Sequence, residues 1–207
     1  CRYHMADIYT LERCCLYAVD CESLSHMARA LGREEEAAYY EKKRMDMAEQ
    51  INARMWCEED GCYYNLKFDG TFSKRQSPDC FMPLMTGCVP KERKERLLQL
   101  LKDENKFWGE YMIPSIAKDD PAFPQQHYWR GQIWPPQTLW TYLALKRAGE
   151  EELAWELACK AAGMLSKEWN RNGYCPENYS GITGECSGAY HYNWGMLMGL
   201  PLLEELI

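Results

Sequence analysis

Apolar residues recur at roughly three- and four-residue spacing from Tyr9 to Leu31, at Leu11, Cys15, Leu16, Val19, Leu24, Met27 and Leu31. That is the period of one buried helix face. Gly32 follows, a residue type that closes helices by taking a left-handed conformation. A second helix is predicted from Glu34 to Trp56, with Ala37, Ala38, Met45, Ala48, Ile51 and Met55 as its stripe, so the two form a helical hairpin. The phrase LGREEEAAYYEKKRMDMA also suits a tetratricopeptide-type repeat, but the period of roughly 34 residues that such a repeat needs does not recur after Trp56.

Asp69-Gly70 between apolar flanks predicts a tight turn or β-hairpin. Short helices are predicted around Cys80 to Thr86 and Lys91 to Leu101. From Phe107 to Pro136 the helical period vanishes, and five prolines share the stretch with Phe107, Trp108, Tyr111, Phe123 and Tyr128. A loop this long inside a compact domain is usually functional or disordered, and its aromatic content argues against disorder. Helical pattern returns over Gln137 to Arg147, stops at Gly149, and resumes over Glu151 to Trp169. A glycine-rich loop, Asn172 to Gly188, precedes a last helix, Tyr190 to Leu206. About seven helices in antiparallel succession, with no linker-like change of composition, predict one all-α domain over residues 1–207.

Composition narrows the function. The net charge of −7 argues against nucleic acid as partner, since phosphate binding needs concentrated Lys and Arg. In KERKERLLQLLKD the cations alternate with glutamates, which reads as a solvated helix face. No apolar run approaches the ~20 residues needed to cross a bilayer, and no signal peptide opens the chain, so no membrane partner and a cytoplasmic location are expected. The first residue is Cys1 rather than methionine, and the expectation is a chain that starts part-way through a longer reading frame. Eleven cysteines without a CxxC pair, and four histidines without HExxH spacing, point to reduced, packed thiols and no metal site.

Two loops hold the candidate chemistry. HYWRGQIWPP concentrates Tyr128, Trp129, Arg130, Gly131 and Trp134 within a few residues. Aromatic faces stack on the C–H faces of sugar rings while an arginine satisfies hydroxyls, and Gly131 lets the backbone pass close to a ligand. A rigid aromatic plug over a core, with Arg130 stacked on a ring, explains the same composition. In PENYSGITGE, Glu177 lies between a proline and aromatic residues, an environment that suits a general acid or base, although an ordinary turn glutamate has the same neighbours. Glu185 is a second carboxylate there. Asp119, Asp120 and Glu110 are others in the aromatic loop, with DDP also reading as a capped turn.

Taken together, IPSIAKDDPAF, YWRGQIWPP, PENYSGITGE and YNWGMLMGL resemble the C-terminal part of glycoside hydrolase family 63, which includes processing α-glucosidases and mannosylglycerate hydrolase-like enzymes. The segment from ALGREEEAAYY to MPLMTG is similar to the same family, so the resemblance covers nearly the whole chain. It implies an (α/α)6 toroid, here an incomplete one, in which helical hairpins ring a sugar pocket built from loops. It also implies inverting hydrolysis of an α-linked glucoside or mannoside without a cofactor. In that chemistry an acid and a base sit roughly 6.5–9.5 Å apart with a water between base and substrate. The resemblance makes Glu177 the base, Trp129, Arg130 and Trp134 sugar contacts, and Tyr128, Tyr179 and Trp194 pocket walls. Members of the family often have Asn where Thr138 stands, so the resemblance carries no sugar contact onto that position. Its general acid is an aspartate in an SGxDxSP-type motif that does not occur among these residues, so the partner of Glu177 is expected upstream. A carbohydrate-binding remnant without turnover is the alternative.

Overall fold

The computed structural model describes residues 7–207; Cys1, and with it the reading of the chain's first residues, lies outside them. The chain divides into two compact units, one running to Lys74 and adding Asp79–Leu97, the other made of Arg75–Pro78 and Leu98–Ile207.

In the first unit, α1 (Leu11–Ala30) and α2 (Glu34–Arg54) form the expected antiparallel hairpin, and Gly32 takes φ +71° between them. Beyond Leu11, the face that α1 buries is formed by small side chains and not by its larger ones. Leu11, Cys15, Ala18, Cys21, Ser25 and Ala28 are buried, whereas Leu24, Met27 and Leu31 are exposed. On α2 the buried residues are Ala37, Ala48 and Ile51, and both Ala38 and Met45 face outward. Small side chains allow the helix axes to approach closely, and close packing rotates the contact onto them. The Ser25 hydroxyl donates to the Ala37 carbonyl at 2.9 Å, so its burial leaves no unsatisfied donor.

Beyond the hairpin the chain makes strands too short for a period of two to register in the sequence. β1 (Ile8–Tyr9), β4 (Asn65–Lys67) and β5 (Phe72–Ser73) form a three-stranded antiparallel sheet in the order β1-β4-β5, and β2 (Trp56–Cys57) pairs with β3 (Cys62–Tyr63). The predicted Asp69-Gly70 turn joins β4 to β5, with Asp69 Oδ1 accepting the Thr71 amide at 2.9 Å and Gly70 at φ +85°. Asn65 Oδ1 caps the start of α1 by accepting the Leu11 amide at 2.7 Å. The segment expected as a short helix near Cys80 is a 3₁₀ run, Pro78–Thr86, because Pro83 cannot donate the amide an α-helix requires. α3 (Lys91–Lys102) matches its prediction.

The second unit holds α4 (Pro135–Ala148), α5 (Glu151–Asn172), the two-residue strands β6 (Asn178–Tyr179) and β7 (Cys186–Ser187), and α6 (Leu200–Glu205). Pro135 and Pro136 open α4, where a missing amide costs nothing, and Gly149 closes it at φ +76°. Ile133, Ala161, Met164, Tyr179 and Met198 form a buried cluster. The last helix is not continuous as expected. A 3₁₀ segment, Asn193–Met198, gives way at Gly199 to α6, and Pro201 supplies the reason, having no amide to bond back across the junction. The seven expected helical segments thus appear as six α-helices and 3₁₀ turns, an all-α fold.

All ten cysteines among the described residues are free thiols. Cys159 departs from the packed-thiol expectation: it is exposed, since α5 turns Ala158 and Ala161 inward instead. Among the described residues no helix is long and apolar enough to cross a membrane.

Candidate active site

The aromatic loop lies wholly in the second unit and is pinned by its carboxylates. Asp119 pairs with Lys106 at 2.6 Å, and Asp120 pairs with Arg75 at 3.1 Å while accepting the Ala122 amide at 2.8 Å. Both candidate aspartates are therefore engaged in holding the DDP turn. A short 3₁₀ segment, Phe123–Gln125, follows, and the backbone then takes positive φ at Gln126, Tyr128 and Gly131. These reversals fold the tryptophans back on one another. Trp129 and Trp134 stack with centroids 4.0 Å apart and planes 11° apart, and Tyr128 stands edge-on to both. Trp134 Nε1 donates to the Tyr128 carbonyl at 3.2 Å.

Exposure separates the two rings. Trp134 is 1% exposed and Trp129 43%. Trp134 is the buried base of the stack, and Trp129 lies on it with its other side open. The platform and the plug are thus two layers of one structure. Arg130, exposed beside them, donates through Nη1 to Gln125 Oε1 at 2.9 Å.

Glu177 enters from the second loop, immediately before β6. β6 and β7 pair in the register Asn178↔Ser187 and Tyr179↔Cys186, which turns the intervening SGITGE segment into a hairpin. The Glu177 amide donates to the Ala189 carbonyl at 3.0 Å, and the Ala189 amide returns a bond of 3.0 Å to Glu177 Oε2. The carboxylate is thereby aimed by the backbone and stays partly exposed. A Cβ at Gly188, itself at φ +76°, would lie 2.6 Å from Glu177 Oε2, so only glycine leaves room for this arrangement.

The two loops are one hydrogen-bonded body. Ile133 and Tyr179 exchange backbone bonds of 2.8 and 3.0 Å, and Gln132 Nε2 donates to Ser187 Oγ at 2.8 Å. Gly181 packs on the Gly131 carbonyl so closely that a side chain would collide with it. Trp194 is half-exposed and edge-on to Tyr192 at 5.7 Å, and the adjacent Gly195 abuts the Pro176 carbonyl, next to Glu177.

Three residues stand apart from their expected places. Tyr179 is fully buried in the helical core, where desolvation pushes its phenol well up, so its ring supports the hairpin and presents no wall. Glu185 is exposed on the hairpin, tied through its own carbonyl to the Ser180 amide. Glu110 is exposed and bonds the Tyr111 hydroxyl, raising that phenol, while the Tyr111 ring packs against Gly184.

Several buried polar groups around the site escape a reading of composition. Gln132 and Asn178 are buried, and Glu168 is 1% exposed, with Oε2 accepting from Asn172 Nδ2 at 2.8 Å. Glu168 does leave a signal, because it falls on the buried period of α5 after Leu157, Ala161 and Met164. Among the described residues, Cys57, Glu59 and Asp60 on the β2–β3 turn bring three ligand atoms within 4.8 Å of one another. The Lys74 ammonium already neutralises both carboxylates, at 3.1 and 2.9 Å.

The mannosylglycerate hydrolase MGH1-like glycoside hydrolase domain matches residues 6–195. The chain belongs to this glycoside hydrolase family. It is 26% identical over 199 residues to mannosyl-oligosaccharide glucosidase of Saccharomyces cerevisiae, covering 85% of this chain and 24% of the yeast protein. It is 27% identical over 150 residues to mannosylglycerate hydrolase of Thermus thermophilus, covering 70% of this chain and 34% of that protein. The crystal structure of a family 63 mannosylglycerate hydrolase from Thermus thermophilus in complex with glucose superposes with a TM-score of 0.82 at 21% identity, over 95% of this chain and 48% of that one. The fold is accordingly that of the (α/α)6 glycosidases. The chain spans about a quarter to a half of the length of these relatives.

Proposed function

We propose that these 207 residues are the C-terminal part of one (α/α)6 catalytic domain that hydrolyses an α-linked glucoside or mannoside, in an oligosaccharide or a small glycoside, with inversion. One observation carries the reading: a half-open tryptophan stack and a backbone-aimed carboxylate sit on two loops joined into a single body. In the proposed reaction the sugar ring lies on the open face of Trp129, with Arg130 donating to its hydroxyls. Glu177 takes a proton from the water that attacks the anomeric carbon, while an acid outside these residues protonates the leaving oxygen. The net reaction adds one water across the glycosidic bond. Tyr128 and Trp194 flank the ring, and Trp134 and Tyr179 act from beneath as supports.

Glu177→Gln in the complete protein keeps the shape and removes the base. Turnover is expected to fall by about 10²–10⁴-fold with substrate affinity largely kept. The first-formed hexose, followed by NMR in the parent enzyme, should carry the opposite anomeric configuration to the substrate. Unchanged turnover in the variant would remove the assignment of Glu177, and retained configuration would remove the inverting mechanism.

A further inference from the structure

The proposed chemistry leaves one well-connected side chain without a part in it. Gln126 ends the 3₁₀ turn of the aromatic loop at φ +46° and ψ +40°, a conformation that residues with a Cβ rarely adopt. Its carboxamide faces both loops. Nε2 donates to the Phe123 carbonyl at 2.8 Å, within the platform loop. Oε1 accepts the Gly181 amide at 2.8 Å and the Ser180 hydroxyl at 3.2 Å, both on the hairpin that follows Glu177. Ser180 Oγ in turn accepts the amides of Ile182 and Thr183 at 3.2 Å each. The turn of the hairpin is thus organised around the atom that Gln126 holds.

The chemistry of this contact selects glutamine. One end must donate to a carbonyl and the other must accept from an amide, and a flipped carboxamide would set like against like at both ends. The glycines agree. A Cβ at Gly131 would strike the Gln126 amide nitrogen and lie 2.6 Å from the Phe123 carbonyl, and one at Gly181 would strike the Gly131 carbonyl. Both positions are bare where the clamp closes.

We infer that Gln126 is a positioning residue: its carboxamide locks the loop bearing Trp129 to the hairpin bearing Glu177, and so sets the offset between the bound sugar ring and the base. The inference rests on the reading of Glu177 as base and Trp129 as platform. An inverting site holds a water between carboxylate and anomeric carbon, so the offset decides whether that water is in line. A misplacement of about 1 Å is enough to cost on the order of 10²-fold in rate. The platform itself does not depend on the clamp, because Trp129 rests on Trp134 and Arg130 is tied to Gln125 within its own loop. Loss of Gln126 should therefore act on turnover more than on binding.

The test uses the complete protein and an aryl α-glucoside or α-mannoside, whose leaving group needs little acid assistance. Gln126→Leu, which removes all three bonds of the carboxamide, is expected to lower kcat by roughly 10- to 100-fold with KM within about threefold. Gln126→Glu keeps the acceptor for Gly181 but sets a carboxylate oxygen against the Phe123 carbonyl. Protonation restores a donor there, so the ratio of its kcat to that of the parent should rise as pH falls toward the carboxylate range. Glu177→Gln is measured alongside. If Glu177→Gln is inactive while Gln126→Leu retains the parental kcat, or changes KM alone, the clamp is wrong and the base stands. If Glu177→Gln keeps full turnover, or the parent hydrolyses neither glycoside, the base reading falls and the positioning role falls with it. Should Gln126→Leu fail to fold, the pH series decides: a flat ratio for Gln126→Glu overturns the inference.

Discussion

Trp129 and Trp134 share a stacked contact, and a single substitution at each separates binding from stability. Trp129 is 43% exposed where Trp134 is 1%, so Trp129→Ala is expected to weaken sugar binding, read by calorimetric titration, while lowering the thermal midpoint far less than Trp134→Ala does. Trp134 is enclosed, and Trp134→Ala opens a large cavity beneath the platform. Its expected cost is about 3–5 kcal/mol in denaturant unfolding, the range found for aromatic-to-alanine changes in cores. Equal loss of stability in both variants would make the whole cluster a plug. The sequence made both tryptophans visible as candidates, and it could not rank them. Which of two stacked rings faces outward depends on the positive-φ residues Gln126, Tyr128 and Gly131, and of these only the glycine announces its conformation.

At the scale of elements, the six-residue α6 is too short to persist by propensity and must be held by its neighbours. Glu205 does this, accepting from the Tyr142 hydroxyl at 2.8 Å and pairing with Lys146 at 3.1 Å, both on α4. The Tyr142 bond, then that of Lys146, holds the Glu205 carboxyl below the usual carboxylate range. A carboxyl whose folded-state pKa is depressed contributes stability above its unfolded value, near about 4.3, and that contribution is lost as pH falls through the folded value. Hydrogen exchange of residues 200–205 should therefore accelerate, relative to α5, on acidification below about pH 4. Tyr142→Phe should flatten that step, and an unaltered step would mean that Glu205 does not anchor α6. Element positions are legible in the sequence where period and punctuation agree, as at Gly32, Gly149 and the paired prolines of α4. The helical pattern misleads where a proline falls inside the expected helix, as at Pro83 and Pro201.

For the molecule as a whole, exposed apolar side chains are the strongest surface feature. Met27 and Leu31, Tyr39 and Met45, Trp155 and Trp169, and Leu203 and Leu206 are each between 46% and 69% exposed. Such faces drive association when nothing covers them. The 207 residues expressed alone are expected to self-associate and to bind a hydrophobic dye, measured by light scattering and fluorescence. A monodisperse monomer with no dye binding would show that these side chains are tolerated singly in water.

The sequence by itself determined the helical class, the hairpin of α1 and α2, and the two loops where the chemistry gathers. Helical period, glycine punctuation and unusual composition are local properties, written in neighbouring residues. Tertiary structure alone decided which face each helix buries, because small side chains at Cys15, Ala18 and Ala37 win over larger ones once two helices approach. It also decided that the loops around Trp129 and Glu177 are one body. The contacts that join them, Ile133 with Tyr179, Gln132 with Ser187 and Gln126 with Gly181, link residues some fifty positions apart, and no local pattern records them.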